Sequence, residues 1–356
     1  MALIQIVFSS AATADQLMAG LPTAARAIRN LVERQLAQPG DRLCVTISDV
    51  GRLKQRTKSE ISRLAPDLSV AYEACYPDAP NLRLEGEGLA LGEVLELPNA
   101  SDGTKEPISG RSPAEWQRAR RKASKAILKA TGKKSDGVVS RFINRPISRF
   151  MSDLVLRVPG VTPIHGTLAA LIVGVAMTGF LFFGGSGGVV IGAILFQFAS
   201  VIDGVDGEIA RATYRSSKSG AALDTACDAA TNLAFLSGLT FNLWQQGNTG
   251  AASVGLVGLG LLAFGLFLLG WRSLAAGDGL TFDAVKNEFS ARPSRMQKVL
   301  ASITSRDVYA LAFALMAAFG LAAQALVLFT IAVCVWLLVI IGVLVRTKPA
   351  LRGKAG

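Results

Sequence analysis

The hydrophobic pattern changes near residue 160. From Thr162 to Val345 the chain is a series of apolar runs separated by short breaks, each run close to the length a bilayer demands. Six spans are predicted, at about 162 to 184, 187 to 211, 220 to 243, 250 to 271, 306 to 324 and 326 to 345. Just upstream, Val139, Phe142, Ile143, Ile147, Phe150 and Leu154 recur at helical spacing with Arg141, Arg145, Arg149 and Arg157 between them. That pattern predicts an interfacial amphipathic entry helix over 139–160. Earlier still, strand-like and helix-like stretches alternate: LIQIVFS, ADQLMAGLPTAARAIRNLVERQLA, RLCVTISD, KSEISRLA and LSVAYEA. Alternation of this kind predicts α/β architecture. The expected organisation is an α/β domain over 1–110, a basic linker over 111–138, the entry helix, an all-α polytopic bundle of six transmembrane helices over 161–346, and a basic tail over 347–356.

Composition sharpens this reading. Hydrophobic residues make up 51% of the chain, yet its net charge is +11, so the apolar and basic residues must be segregated. The breaks GGSGG at 184–188 and WQQGNTG at 244–250 lack Lys and Arg. The intervening breaks hold Arg211, Arg215 and Lys218, then Arg272, Lys286, Arg292, Arg295, Lys298 and Arg306, and the tail adds Arg346, Lys348, Arg352 and Lys354. By the positive-inside rule a multi-pass protein of the inner membrane is expected, with both termini and the Arg211 end of the bundle cytoplasmic. MALIQIVFSS reads as a strand rather than a cleavable signal peptide. Cys44, Cys75, Cys227 and Cys334 lie far apart, which disfavours a zinc site or a disulfide framework. The stretch RSPAEWQRARRKASKAILKATGKK is basic and helix-prone, with anionic lipid headgroups rather than nucleic acid as its expected neighbours.

One stretch, VIDGVDGEIARATYRSSKSGAALDTACDAA, carries four aspartates at bilayer depth. Such groups are costly without a compensating cation, and a divalent metal is the natural candidate. Asp203 and Asp206 are three apart, and Asp224 and Asp228 four apart, so each pair shares a helix face. Two facing helices would converge the acids on one point. Gly207, Ala210 and Gly220 leave room beside them for a ligand to lie against helix backbone. Arg211 either contacts phosphate or braces the acids. The rival readings are carboxylates that pack helices, or that line a cation pathway in a transporter.

The spacing D-x2-D-G-x2-A-R-x8-G-x3-D-x3-D resembles the signature of the CDP-alcohol phosphotransferases at all eight positions. The resemblance implies a bundle of six transmembrane helices, commonly homodimeric, that moves a substituted phosphate from a CDP-linked donor to an alcohol and releases CMP. It implies Asp203, Asp206 and Asp224 as ligands of Mg2+ or Mn2+, and two ions, the second with Asp228 as a ligand. Asp228 matches the family's general base. The entry segment, DG-x2-SR-x-INR-x-IS from Asp136 to Ser148, is similar to that of the branch containing di-myo-inositol-phosphate-phosphate synthases. That similarity implies a CDP-inositol or related polyol donor, with a polyol phosphate or a lipid alcohol as acceptor. The enzymatic rival is a phospholipid synthase using CDP-diacylglycerol.

Arg306, where the chain re-enters the bilayer, is expected to hold an anionic group of a substrate, since guanidinium binds phosphate bidentately. Arg292, Arg295 and Lys298 are weaker candidates. His165, the only histidine, is expected to cap a helix rather than to act in catalysis. The amino-terminal stretch faintly resembles a nucleotidyltransferase. Its first strand, however, is followed by SSAATADQLMAG instead of a glycine-rich phosphate loop, so a degenerate domain without cytidylyltransferase activity is expected.

Overall fold

The computed structural model describes residues 2–72, 80–97, 111–133, 136–275 and 305–346. Cys75, Lys286, Arg292, Arg295, Lys298 and the tail from 347 lie outside the described residues. The chain forms two compact units. One comprises Met1–Thr131, Ser152–Val161 and Ala212–Tyr214; the other comprises Gly132–Met151, Thr162–Arg211 and Arg215–Gly356.

The first unit is built on a parallel sheet of order β5-β4-β1-β6, with β1 at Leu3–Phe8, β4 at Arg42–Ile47, β5 at Ser69–Tyr72 and β6 at Leu82–Glu85. Ile4, Ile6, Phe8, Leu43, Val45 and Leu84 pack on α2 (Thr23–Glu33) through Ala24, Ala27, Ile28 and Leu31. The long helix expected after β1 is broken. A short α1 (Ala11–Asp15) is followed by the hairpin β2 (Leu17–Met18) and β3 (Leu21–Pro22), and α2 starts only after that. Left-handed backbone at Ala19 and Gly20 makes the two-residue turn, which the glycine tolerates at no steric cost. α3 (Gln55–Leu64) matches KSEISRLA, whereas β6 and α4 (Gly86–Leu91) are elements the sequence pattern did not reveal. The basic stretch after Arg111 forms α5 (Pro113–Ala130), started by a Ser112–Glu115 capping box. Trp116 enters the α/β core and donates Nε1–H to Gln16 at 2.9 Å.

The same unit holds Ala212–Tyr214 by their carbonyls. Arg26 donates to Ala212 O at 2.7 Å, and Arg63 donates to Thr213 O at 2.8 Å and Tyr214 O at 3.0 Å. The Arg29 guanidinium lies 4.7 Å from the centroid of the Tyr214 ring. Burial lowers the pKa of Arg26 to about 10, which still leaves it charged at neutral pH.

The second unit is helical. A π-helical turn at Ser140–Asn144 leads into α6 (Arg145–Val155), on which Ile147, Phe150 and Leu154 are exposed, as are Phe142 and Ile143 before it. Then come α7 (Pro163–Phe183), α8 (Gly185–Ala212), α9 (Lys218–Gln245), α10 (Thr249–Ala275), α11 (Arg306–Ala318) and α12 (Ala322–Arg346). α9 packs on α7 and α10, and α12 packs on α10 and α11. Phe196 stacks on Phe235 with centroids 4.0 Å apart, and Phe313 and Phe329 complete the aromatic core. Asn242, fully buried, donates to Leu181 O at 2.6 Å and Gly185 O at 2.9 Å, satisfying carbonyls where α7 ends. Ile172, Val175, Leu256, Phe267, Leu328 and Leu338 face outward, an arrangement water penalises and hydrocarbon does not.

Among the described residues, α7, α8, α10 and α12 are long and apolar enough to cross a membrane. α9 is long but carries Lys218, Asp224 and Asp228, and α11 has 13 residues, about 20 Å at 1.5 Å per residue. The last break falls at the turn expected near Gly320, which takes φ +74°, so α11 ends and α12 begins a few residues before the span bounds of 324 and 326.

Candidate metal centre

The hairpin of α8 and α9 follows from its capping. α8 ends where Tyr214 takes a left-handed conformation and Arg215 N–H returns to Ala210 O at 2.8 Å. α9 begins at Ser217, whose hydroxyl accepts from Gly220 N–H at 3.0 Å. The signature glycine Gly220 thus lies in an exposed first helical turn, against its own N-cap. Asp203 and Asp228 lie at similar distances along the chain from this turn, as do Asp206 and Asp224, so an antiparallel hairpin sets the two pairs at neighbouring levels about one helical turn apart.

Carboxylate oxygens of Asp203, Asp224 and Asp228 all lie within 4.8 Å of one another, on half-buried side chains. An all-oxygen donor set suits a hard divalent cation, whose ligands at 2.0–2.1 Å sit about 4 Å apart when they oppose each other. The three carboxylates are therefore near enough to be drawn onto one hard divalent cation. Asp206 is not in this group of three. It is buried, and its Oδ2 accepts from the Thr167 hydroxyl at 2.8 Å. Gly166 makes this contact possible, because a Cβ there would fall 2.9 Å from the Asp206 backbone.

Arg306 joins the acids directly. Its guanidinium donates to Asp228 Oδ1 and lies 3.5 Å from Asp203 Oδ1, while Nε is buried with no hydrogen-bond partner. The cation expected to meet an anionic substrate group therefore balances the acidic cluster and keeps one donor in reserve. Gly207 faces the Arg211 guanidinium, which folds back one turn to within 3.0 Å of where a Cβ would sit. Ala210, half-buried, accepts the helix-ending bond from Arg215. His165 acts as expected, its Nδ1 lying 3.2 Å from Thr162 N and 2.9 Å from the Thr162 hydroxyl at the start of α7.

Sequence reasoning missed a second polar cluster beside the first. Glu208 is fully buried on α8, accepting from Ser148 Oγ at 2.7 Å and Arg145 Nη1 at 3.1 Å. Arg145 also grips both oxygens of Asp136 at 2.9 Å. The signal was present: an acid inside an apolar run requires a partner, and Arg145 is a basic residue of the adjoining segment.

Residues 161–342, more than half the chain, match the family described as CDP-alcohol phosphatidyltransferase. Among curated proteins, the bifunctional IPC transferase and DIPP synthase of Thermococcus kodakarensis is 37% identical over 132 residues, covering 36% of this chain and 28% of the relative. Its namesake from Aquifex aeolicus is 34% identical over 132 residues, covering 37% and 29%, and that from Archaeoglobus fulgidus is 38% identical over 117 residues, covering 33% and 23%. The matched stretch spans less than a third of each relative's length. With signature acids gathered in one hairpin inside the matched region, the chain belongs to the CDP-alcohol phosphatidyltransferase family.

Proposed function

We propose that the chain transfers a substituted phosphate from a CDP-alcohol to an alcohol acceptor, forming a phosphodiester and releasing CMP. The observation that carries this reading is the convergence of Asp203, Asp224 and Asp228 beside Arg306. In this reading Asp203, Asp206 and Asp224 hold Mg2+ or Mn2+, and Asp228 is shared between a second ion and the acceptor. The bound metal supplies charge neutralisation of the donor pyrophosphate.

The residues do the rest. Asp228 takes the proton from the acceptor hydroxyl, whose oxygen forms a bond to the β-phosphorus as the bond to CMP breaks and CMP leaves with the electron pair. Arg306 occupies Asp228 before substrate arrives, so an incoming phosphate must draw the guanidinium toward itself, with Nε available to receive it. Gly207 and Gly220 keep the hairpin backbone accessible, and Arg211 neutralises either phosphate or the acids.

An inositol-type donor is favoured by the entry segment and by the relatives named IPC transferase and DIPP synthase. In the same reading α9 and α11 complete six spans, the segment over 139–160 lies along the cytoplasmic leaflet among membrane lipids, both termini and the active site face the cytoplasm of an inner-membrane protein, and the chain works as a homodimer. The first unit is read as a degenerate nucleotidyltransferase-like domain. Supporting this, the loop after β1 is closed by the Glu87 carboxylate, which accepts from Ser9 N at 2.8 Å, Ser9 Oγ at 2.6 Å and Thr13 Oγ1 at 2.9 Å. Open α/β sheets bind ligands at this end of the strands, and a fixed negative charge there repels a nucleotide triphosphate.

The test is a panel of CDP-alcohols offered to the purified chain, with CMP release followed and products identified by mass spectrometry. CMP from CDP-inositol with a phosphodiester product supports the reading. CMP from CDP-diacylglycerol alone assigns the lipid donor instead, and cation flux without CMP release supports a transporter.

A further inference from the structure

The words Asp136-Gly137, Ser140, Asn144-Arg145 and Ser148 set the entry segment apart in the sequence, and none of these residues touches the acids. Ser140, Asn144, Arg145 and Ser148 instead hold elements that carry the site, and Asp136 holds Arg145. Asn144 donates to Ser200 Oγ at 3.3 Å and accepts from Gln197 Nε2 at 2.9 Å. Arg145 bonds Glu208 at 3.1 Å and approaches Gly204 O at 3.4 Å, and Ser148 bonds Glu208 at 2.7 Å. Gln197, Ser200, Gly204 and Glu208 recur every three or four residues, so the segment grips α8 along one continuous stripe. Gly204 stands between Asp203 and Asp206, and a Cβ there would fall 3.1 Å from Ser148 Oγ and 3.2 Å from Arg145 Nη1. Asp307, next to Arg306, accepts from Ser140 N–H at 2.6 Å and lies where a Cβ on Gly137 would be 2.9 Å away.

We propose that Asp136–Ser148 is a positioning frame for the acid cluster, in which Arg145 acts through Glu208 to fix the rotation of α8, while Asp307 ties Arg306 to the same segment. The inference rests on the reading of Asp203, Asp224 and Asp228 as metal ligands. Geometry explains why rotation matters. Carboxyl groups lie about 5 Å from a helix axis, so a turn of about 10° displaces them by about 1 Å, enough to spoil a shared coordination site. A buried ion pair contributes little net stability over an apolar pair of the same shape. What Arg145 and Glu208 provide is a unique register between the segment and α8, which an apolar pair would not enforce.

The frame is tested on the full chain in detergent by three readouts: Mn2+ affinity by electron paramagnetic resonance, thermal melting, and CMP release from CDP-inositol. Arg145→Gln and Glu208→Gln are each expected to weaken Mn2+ binding about tenfold and to lower kcat about a hundredfold, with KM for the donor changed less than about threefold. Because Arg145 also holds Asp136, only the triple variant Asp136→Asn, Arg145→Gln, Glu208→Gln removes every stranded charge, so its melting recovers toward the native value while Mn2+ binding stays weak. Ser148→Ala keeps the ion pair and is expected to melt normally with Mn2+ affinity about threefold lower. Native Mn2+ affinity in folded Arg145→Gln and Glu208→Gln overturns the frame, and so does a rise in donor KM alone, which makes Arg145 a substrate contact. If the native chain binds Mn2+ but releases no CMP from any CDP-alcohol, the functional reading fails while the Mn2+ comparison still decides the frame. Absence of Mn2+ binding by the native chain overturns both.

Discussion

Arg306 donates a hydrogen bond to Asp228 and lies 3.5 Å from Asp203, so one guanidinium answers two acids that belong to different helices. In the proposed function, the charge that steadies the cluster would also compete with a divalent ion for it. Arg306→Ala is therefore expected to tighten Mn2+ binding to the substrate-free chain about threefold, while raising KM for the CDP-alcohol about tenfold. Paramagnetic resonance and steady-state kinetics on the same preparation check both directions, and weaker Mn2+ binding in the variant contradicts the competition.

Gly207 tests the space beside the acids. A methyl group there meets only the far end of Arg211, which can swing, so Gly207→Ala is expected to keep activity within about threefold of the native chain. Gly207→Leu displaces Arg211 and fills the face of α8 next to Asp203, and is expected to lower kcat/KM more than a hundredfold with little change in melting temperature. Full activity in Gly207→Leu, measured as CMP release, removes this face from the site.

Much of this site was legible because its logic is periodic. Acids three and four apart share a helix face whatever the surrounding fold, and the spacing between the two pairs leaves room for a single tight turn, so Asp203, Asp224 and Asp228 meet, whereas Asp206, expected with them, stays outside the group and bonds Thr167. Partnerships set by tertiary packing were not legible. Nothing local tells that Thr167 bonds Asp206, that Arg306 pairs with Asp228, or that Arg145 reaches Glu208 across 63 positions. Among the described residues the apolar pattern located α7 to α12, and the turn near Gly320 with them, but not the bounds of α11 and α12, because a left-handed glycine interrupts a helix without interrupting hydrophobicity. In the first unit, β6 and α4 escaped notice because LRLE and GEGLAL are short and carry charges that the fold buries.

Asn242 tests the helical core independently of chemistry. Its amide donates to two carbonyls at the junction of α7 and α8, so Asn242→Leu removes both bonds from an apolar interior. The expected cost is roughly 1–3 kcal/mol of stability, seen as a lower melting temperature in detergent, with kcat for the remaining folded protein unchanged.

Asp136 makes the entry segment sensitive to acid. Burial works against its ionised form, but the hydrogen bonds and positive charge of Arg145 outweigh burial and hold the carboxyl below the usual aspartate range. A carboxylate with a depressed folded pKa contributes stability that is complete above the unfolded value near 4 and is lost as the pH falls through the folded value. The gap in melting temperature between the native chain and Asp136→Asn is therefore expected to stay constant from pH 7 to about 5 and to narrow below about 4. A gap independent of pH across that range contradicts the assignment.

The most direct measurement is CMP release from CDP-inositol by the purified native chain and by Asp228→Asn, each with Mg2+ and after chelation with EDTA. The account predicts turnover only for the native chain with Mg2+, and a loss of at least a hundredfold on substitution or chelation while the variant still melts as a folded protein. Equal CMP release by folded Asp228→Asn, or undiminished release by the native chain in EDTA, would contradict it.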